Sequence, residues 1–163
     1  MRVALYQPDI PQNTGTILRM AACLNVTVEI IGPAGFDISD RALRRAGLDY
    51  LDQVEIERHL SFAAFDVRRR ERGARLLLLT TAGTAPYTGF RFETGDILLA
   101  GRESAGVPPE IHEAADARLT ILMRPGMRSL NVAVAVAMVL GEALRQTGHF
   151  DDQGTGPRGT RQV

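Results

Sequence analysis

Short apolar runs alternate with longer amphipathic stretches along this chain, and each pattern predicts a different element. Val3 to Tyr6 reads as a strand buried on both faces, because its apolar character is unbroken. From Asn13 to Leu24 the apolar positions Ile17, Met20, Ala21 and Leu24 recur at helical spacing. Thr27 to Ile31 is a β-rich run stopped by Gly32-Pro33. Ser39 and Asp40 are placed to cap a short helix through Ala46, closed by Gly47, and Ser61 to Arg72 reads as another helix closed by Gly73. Leu76 to Thr80, Ile97 to Ala100 and Leu119 to Leu122 are three further strands, and Ser129 to Thr147 is a long final helix before Gly148. Strand and helix alternating in this order predict an α/β fold with a largely parallel sheet. Neither an internal repeat nor an interdomain linker interrupts the pattern. Residues 1–150 therefore read as one domain, and the polar Gly/Arg-rich stretch 151–163 as a disordered tail.

Composition narrows the function. A chain of 163 residues is long enough for one domain with a real core. Its net charge of zero excludes a protein that coats nucleic acid with an overall basic surface, but leaves room for a local patch. All 19 basic residues are arginine, whose planar fork suits phosphate, although coding bias is the preferred explanation of such usage. The single cysteine, Cys23, lies in the apolar stretch Met20 to Leu24 and reads as a small buried hydrophobe. His59, His112 and His149 are scattered, so no metal site is expected. Met1 to Tyr6 runs straight into polar Gln7-Pro8-Asp9, a strand and loop rather than a signal peptide. The longest nearly apolar run, Val132 to Leu140, falls far short of the ~20 residues a bilayer requires. A cytoplasmic enzyme is the expectation.

In open parallel sheets ligands bind beyond the carboxyl ends of the strands. Three loops stand at such ends: Thr80 to Thr84, Ala100 to Pro108, and Leu122 to Asn131. The middle loop has two glycines at P-loop spacing, but Val107-Pro108 stands where Lys-Ser/Thr is required, which excludes a nucleotide P-loop. No Gly-x-Gly-x-x-Gly follows the first strand, and no Gly-x-Ser-x-Gly elbow occurs.

Three separated motifs carry a resemblance: Tyr6 to Gly15 with Arg19 beyond it, Gly101-x-Glu103-x-x-Gly106-Val107-Pro108, and Ile121 to Met123 followed by Arg128-Ser129-Leu130-Asn131. With Arg41 to Tyr50 they make the chain resemble the SPOUT class of RNA methyltransferases, and within it the small TrmL/YibK-like tRNA 2′-O-methyltransferases. The resemblance spans residues 1–150. It implies an α/β sheet whose C-terminal segment threads a loop in a deep trefoil knot, an exception to ordinary connection rules. It further implies S-adenosyl-L-methionine as donor, S-adenosyl-L-homocysteine as product, and the 2′-hydroxyl of the wobble nucleotide (a pyrimidine at position 34) in the tRNA anticodon stem-loop as acceptor.

Residue by residue, the resemblance implies donor contacts at Leu79, Thr80, Gly101, Glu103, Gly106, Ile121, Met123, Ser129 and Leu130. The apolar members also fit ordinary core packing. Arg19 is implied beside the acceptor. A free guanidinium is a poor base, so an electrostatic clamp on phosphate and developing oxyanion is the preferred role. Glu103 either accepts the proton or orients a loop. Asn13 either orients Arg19 or the ribose, or caps a helix. Asn131 has the same choice between substrate and structure, and Ser129 reads as a cap at the start of the last helix. Arg41, Arg44 and Arg45 share one helix face and either bind RNA phosphate or face solvent. Arg68, Arg69, Arg70 and Arg72 read as a solvated face. The last helix is apolar all round and needs cover, either from its own domain as a central core helix of a monomer or, as the resemblance implies, from a second copy in a homodimer built through this helix. Relatives of this type often carry proline at the positions of Arg102 and Leu122 and tyrosine at that of Gly141. The remaining alternatives are a related enzyme for another tRNA position or ribosomal RNA, a knotted RNA-binding module without catalysis, and an unrelated α/β enzyme.

Overall fold

The structure is a computed structural model that describes residues 1–39 and 51–150. The sequence-predicted helix at Ser39 to Ala46, Arg41, Arg44, Arg45 and the tail 151–163 therefore lie outside the described residues, Ser39 alone excepted. Seven strands form one sheet: β1 (Arg2–Tyr6), β2 (Thr27–Ile31), β3 (Ile56–His59), β4 (Leu76–Leu79), β5 (Ala85–Pro86), β6 (Ile97–Ala100) and β7 (Ala117–Thr120). Their order is β3-β2-β1-β6-β4-β7-β5, and every pairing is parallel. Among the described residues the α-helices are α1 (Pro11–Leu24), α2 (Phe62–Glu71), α3 (Pro109–Ala114) and α4 (Val132–Gln146).

Side chains on a strand alternate between faces, and the core divides accordingly. Val3, Leu5, Leu77 and Leu98 pack with Ile17, Leu18, Val136 and Leu140 beneath α1 and α4. Ala4, Leu76, Leu78, Ile97 and Leu99 point the other way, onto Phe65 of α2 and Ile111 of α3. A sheet covered on both faces explains why its central strands read as unbroken apolar runs.

Several boundaries differ from the sequence reading. Helix α1 begins at Pro11, a residue suited to the first turn because its missing N–H would be unpaired anyway. It closes at Asn25 in the left-handed conformation (φ 51°), with the Val26 N–H on the Ala21 carbonyl at 2.9 Å. Asn13 is therefore inside the first turn and is not its cap. Cys23 is exposed, because the buried stripe of α1 is Asn13, Thr14, Ile17, Leu18 and Ala21. Helix α4 begins three residues later than Ser129: Asn131 caps it, its Oδ1 accepting from the N–H groups of Ala133 (2.9 Å) and Val134 (3.3 Å). Strand β7 lies two residues earlier than Leu119 to Leu122, and Leu122 is exposed.

The basic run on α2 is only partly a solvated face. Arg69 is buried and bonds Asp66 (2.8 Å), Asp116 (2.9 Å) and the Ala74 carbonyl (3.0 Å). Arg72 joins Arg2 in pairing with fully buried Glu29 and with Glu57. No helix among the described residues is long and apolar enough to cross a membrane.

Candidate active site

The chain leaves β1 in one direction toward β3 and returns on the other side through β4, so the strand order reverses between β1 and β6. Crevices at the carboxyl ends of such strands are where open α/β sheets hold ligands. A cavity of about 610 Å³ lies at the carboxyl ends of β6, β4 and β7, on the returning side of that reversal, within the roughly 300–1,000 Å³ typical of small-molecule sites.

Three loops build its wall. Leu79 and Thr80 come from the end of β4, Gly101, Glu103 and Gly106 from the loop after β6, and Ile121, Met123, Ser129 and Leu130 from the segment after β7. All nine positions implied as donor contacts thus line one cavity. Asn13, Asn131 and Arg102 line it too. The backbone approach is close: a Cβ on Gly101 would sit 2.7 Å from the Gly106 carbonyl carbon, so only glycine fits there. Gly106 itself adopts φ +67°, which glycine tolerates best.

A chain of amides crosses the cavity floor. Asn131 Oδ1 is committed to the two N–H groups that open α4, so its Nδ2 is the donor that meets Asn13 Oδ1 at 2.8 Å. Asn13 Nδ2 in turn donates to Glu103 Oε1 at 3.1 Å. The other Glu103 oxygen accepts from the Asp9 N–H (3.2 Å), and the Glu103 N–H returns a bond to Asp9 Oδ1 (3.2 Å). Ser104 Oγ also bonds Asp9 Oδ2. Side-chain hydrogen bonding with Glu103, then with Ser104, holds the Asp9 carboxyl at about 2. Helix start, β1 loop and β6 loop are thereby tied into one unit, with Asn13 buried at its centre.

Arg19 stands apart. It lies six residues beyond Asn13 on α1, roughly 9 Å along the helix axis, is exposed, and does not line the cavity. Sequence reading missed Asp9 and Ser104 as members of the network; Asp9 pairs with both Glu103 and Ser104 across more than ninety residues, which leaves no local signal. It also missed that Glu29, Glu57 and His59 converge, with ligating atoms within 4.8 Å of one another. The guanidinium groups of Arg2 and Arg72 already pair with both carboxylates, at 2.6–3.3 Å, so this cluster is an ion-pair network.

Residues 1–141 match the model of the SpoU rRNA Methylase family. The chain belongs to that family. Among its relatives, a tRNA (cytidine(34)-2'-O)-methyltransferase of Beijerinckia indica subsp. indica is 65% identical over 146 residues, covering 90% of this chain and 91% of the relative. A solved structure concerned with 2-OH methylation of C/U34 on tRNA superposes with a TM-score of 0.82 at 45% identity, covering 89% of this chain and 94% of the other. An AdoMet-bound rRNA methyltransferase from Sinorhizobium meliloti has a TM-score of 0.80 at 29% identity, covering 88% of this chain and 55% of its own. The SpoU family membership agrees with the SPOUT resemblance carried by the three sequence motifs.

Proposed function

We propose that the protein transfers the methyl group of S-adenosyl-L-methionine to the ribose 2′-hydroxyl of the wobble pyrimidine, position 34, of tRNA and releases S-adenosyl-L-homocysteine. The observation that carries this reading is the convergence of the loops after β4, β6 and β7 on one cavity, in a chain so close to a tRNA (cytidine(34)-2'-O)-methyltransferase over nearly its whole length. Apolar walls from Leu79, Ile121 and Leu130, with bare backbone at Gly101, suit a flat heteroaromatic ring with a polar edge. Leu79, Thr80, Gly101, Gly106, Ile121, Met123, Ser129 and Leu130 would hold the donor. When bound, the donor's sulfonium supplies an electrophilic methyl group.

With the donor bound, the oxygen–carbon bond would form as the carbon–sulfur bond breaks, and the hydroxyl proton would pass to the Glu103 carboxylate. Positioning supplies much of the rate in such an in-line displacement. Glu103 and Asn13, locked by the amide chain, position the acceptor. Each Glu103 oxygen accepts one N–H from its neighbours and keeps a lone pair for the hydroxyl. Arg19, given this role by the resemblance and lying outside the cavity lining, would reach the acceptor phosphate and the charge developing on the 2′-oxygen from beyond the cavity's edge. Arg41, Arg44 and Arg45 bind phosphates of the anticodon stem-loop. Residues 1–150 act as one domain, whose segment after β7 threads a trefoil knot. The enzyme works in the cytoplasm as a homodimer: Val134, Ala137 and Met138 leave an exposed apolar strip on α4 for a second copy to cover.

Labelled S-adenosylmethionine and unmodified tRNA, followed by nuclease digestion and mass spectrometry, test the reading. Label on the position-34 ribose, lost in Arg19→Ala, is the expected result. Label at position 34 surviving Arg19→Ala removes that residue's role, label elsewhere overturns the assigned position, and absence of donor binding overturns the activity.

A further inference from the structure

We infer that Arg102 is a ligand of the substrate RNA, its guanidinium taking a non-bridging phosphate oxygen beside the methyl-accepting ribose. The inference rests on the function proposed above. Among the described residues Arg102 is the one arginine that lines the cavity. Its backbone is clamped on both sides, N–H to the Gly106 carbonyl at 2.9 Å and carbonyl to the Gly106 N–H at 2.8 Å, so the side chain starts from a fixed point.

The guanidinium is held but not consumed. Nε is buried without a hydrogen-bond partner. The nearest carboxylate oxygen, Asp9 Oδ2, lies 3.7 Å away, beyond hydrogen-bond range. Asp9 already accepts from Glu103 and Ser104. Nη1 reaches Gln7 Oε1 only at 3.5 Å. The structural arginines contrast sharply: Arg69, Arg72 and Arg75 each make carboxylate bonds of 2.6–2.9 Å. Arg102 has five N–H donors and no strong internal acceptor. Asp9, held ionised by its own hydrogen bonds, orients the fork by charge without occupying it.

The side chain is 38% exposed, at the cavity rim where a macromolecule arrives. In RNA the 3′-phosphate is borne on the carbon next to the one carrying the 2′-hydroxyl, so any site that seats this hydroxyl receives a phosphodiester with it. A chain of zero net charge must meet that phosphate with a dedicated cation, and arginine's fork matches its geometry.

The test compares wild type, Arg102→Gln and Arg102→Lys. Binding of a fluorescent unmodified tRNA transcript is followed against salt by anisotropy, binding of S-adenosylhomocysteine by calorimetry, and melting by circular dichroism. Arg102→Gln should weaken tRNA binding roughly tenfold and shallow the log–log salt slope by about 0.7–0.9, with S-adenosylhomocysteine affinity and Tm unchanged. Arg102→Lys should restore the slope and part of the affinity. Weakened S-adenosylhomocysteine binding with an unchanged salt slope would assign the arginine to the donor carboxylate and overturn the inference, as would a fall in Tm that accounts for all losses. Wild-type methyl transfer, measured alongside, separates the two claims. Transfer to tRNA with no slope change in Arg102→Gln sinks the arginine's role and leaves the function standing. No transfer with the slope reduced keeps Arg102 as an RNA ligand and sinks the function.

Discussion

Asn131 performs two tasks with two atoms, and a pair of substitutions separates them. Its Oδ1 caps α4, and its Nδ2 fixes Asn13 and through it Glu103. Asn131→Ala removes both. Loss of the cap costs about 1 kcal/mol, and leaving the buried Asn13 Oδ1 without its donor costs about 1–3 kcal/mol more. A total near 3 kcal/mol lowers Tm by roughly 6–12 °C in a chain of this length. Asn131→Asp keeps an excellent cap and adds a negative charge at the helix N-terminus, which contributes about 0.3–1 kcal/mol. It places an acceptor against Asn13 Oδ1, however. Turning the Asn13 amide over relieves that contact only by setting Oδ1 against Glu103 Oε1. The chain cannot be satisfied in either orientation. Asn131→Asp should therefore recover at least about 1 kcal/mol of the stability that Asn131→Ala loses, while both lose about 100-fold in kcat/KM through misplacement of the acceptor-binding groups. Thermal melting and steady-state methyl transfer measure the two effects. Wild-type kcat/KM in Asn131→Asp would refute the amide chain as an organiser of the site.

Gly101→Ala forces the new Cβ into the Gly106 backbone, so S-adenosylhomocysteine affinity should fall at least about tenfold by calorimetry, with a stability loss of about 1–3 kcal/mol; unchanged affinity would contradict the close-approach argument. Gly141→Ala meets open space in mid-helix, and should raise stability by about 0.5–1 kcal/mol, a gain of about 1–4 °C; a lower Tm would mean that the position is crowded in the assembled protein. Asp9 titrates at about 2 in the folded chain against an ordinary 3.8. The unfolded state binds more protons between these values, so the contribution is fully present above about pH 4 and fades as pH falls through 2. The stability gap between wild type and Asp9→Asn should shrink over that window, and a gap that is constant from pH 5 to 2 would contradict the assignment.

Elements whose residues are buried by the sheet itself were legible in the chain. Leu76–Leu79 and Ile97–Ala100 are apolar without interruption because both faces are covered. Strand β7 was misplaced because it carries Arg118, exposed at the surface, and only Leu119 is fully buried. Strand β3 was invisible for a related reason: Ile56-Glu57-Arg58-His59 looks polar, and Glu57 and His59 are tolerated there only by partners from other segments. Cys23 has apolar neighbours in sequence, yet the helical phase set by Ile17, Leu18 and Ala21 turns it outward. That the loops after β4, β6 and β7 hold a common site was an expectation of motif and strand-end logic together, and the structure gathers the nine positions around one cavity. The linkage from Asn131 through Asn13 to Glu103 and Asp9 was not, since it joins positions far apart in the chain through side-chain geometry alone.

The proposed methyl transfer depends on one oxygen atom, the 2′-oxygen of nucleotide 34. Transcripts of the substrate tRNA carrying 2′-deoxyribose at position 34, or at the neighbouring position as control, should be offered to the enzyme with labelled S-adenosylmethionine. Loss of methyl transfer only in the 34-deoxy transcript, with tRNA binding retained, is the predicted result. Undiminished transfer to the 34-deoxy transcript would contradict it.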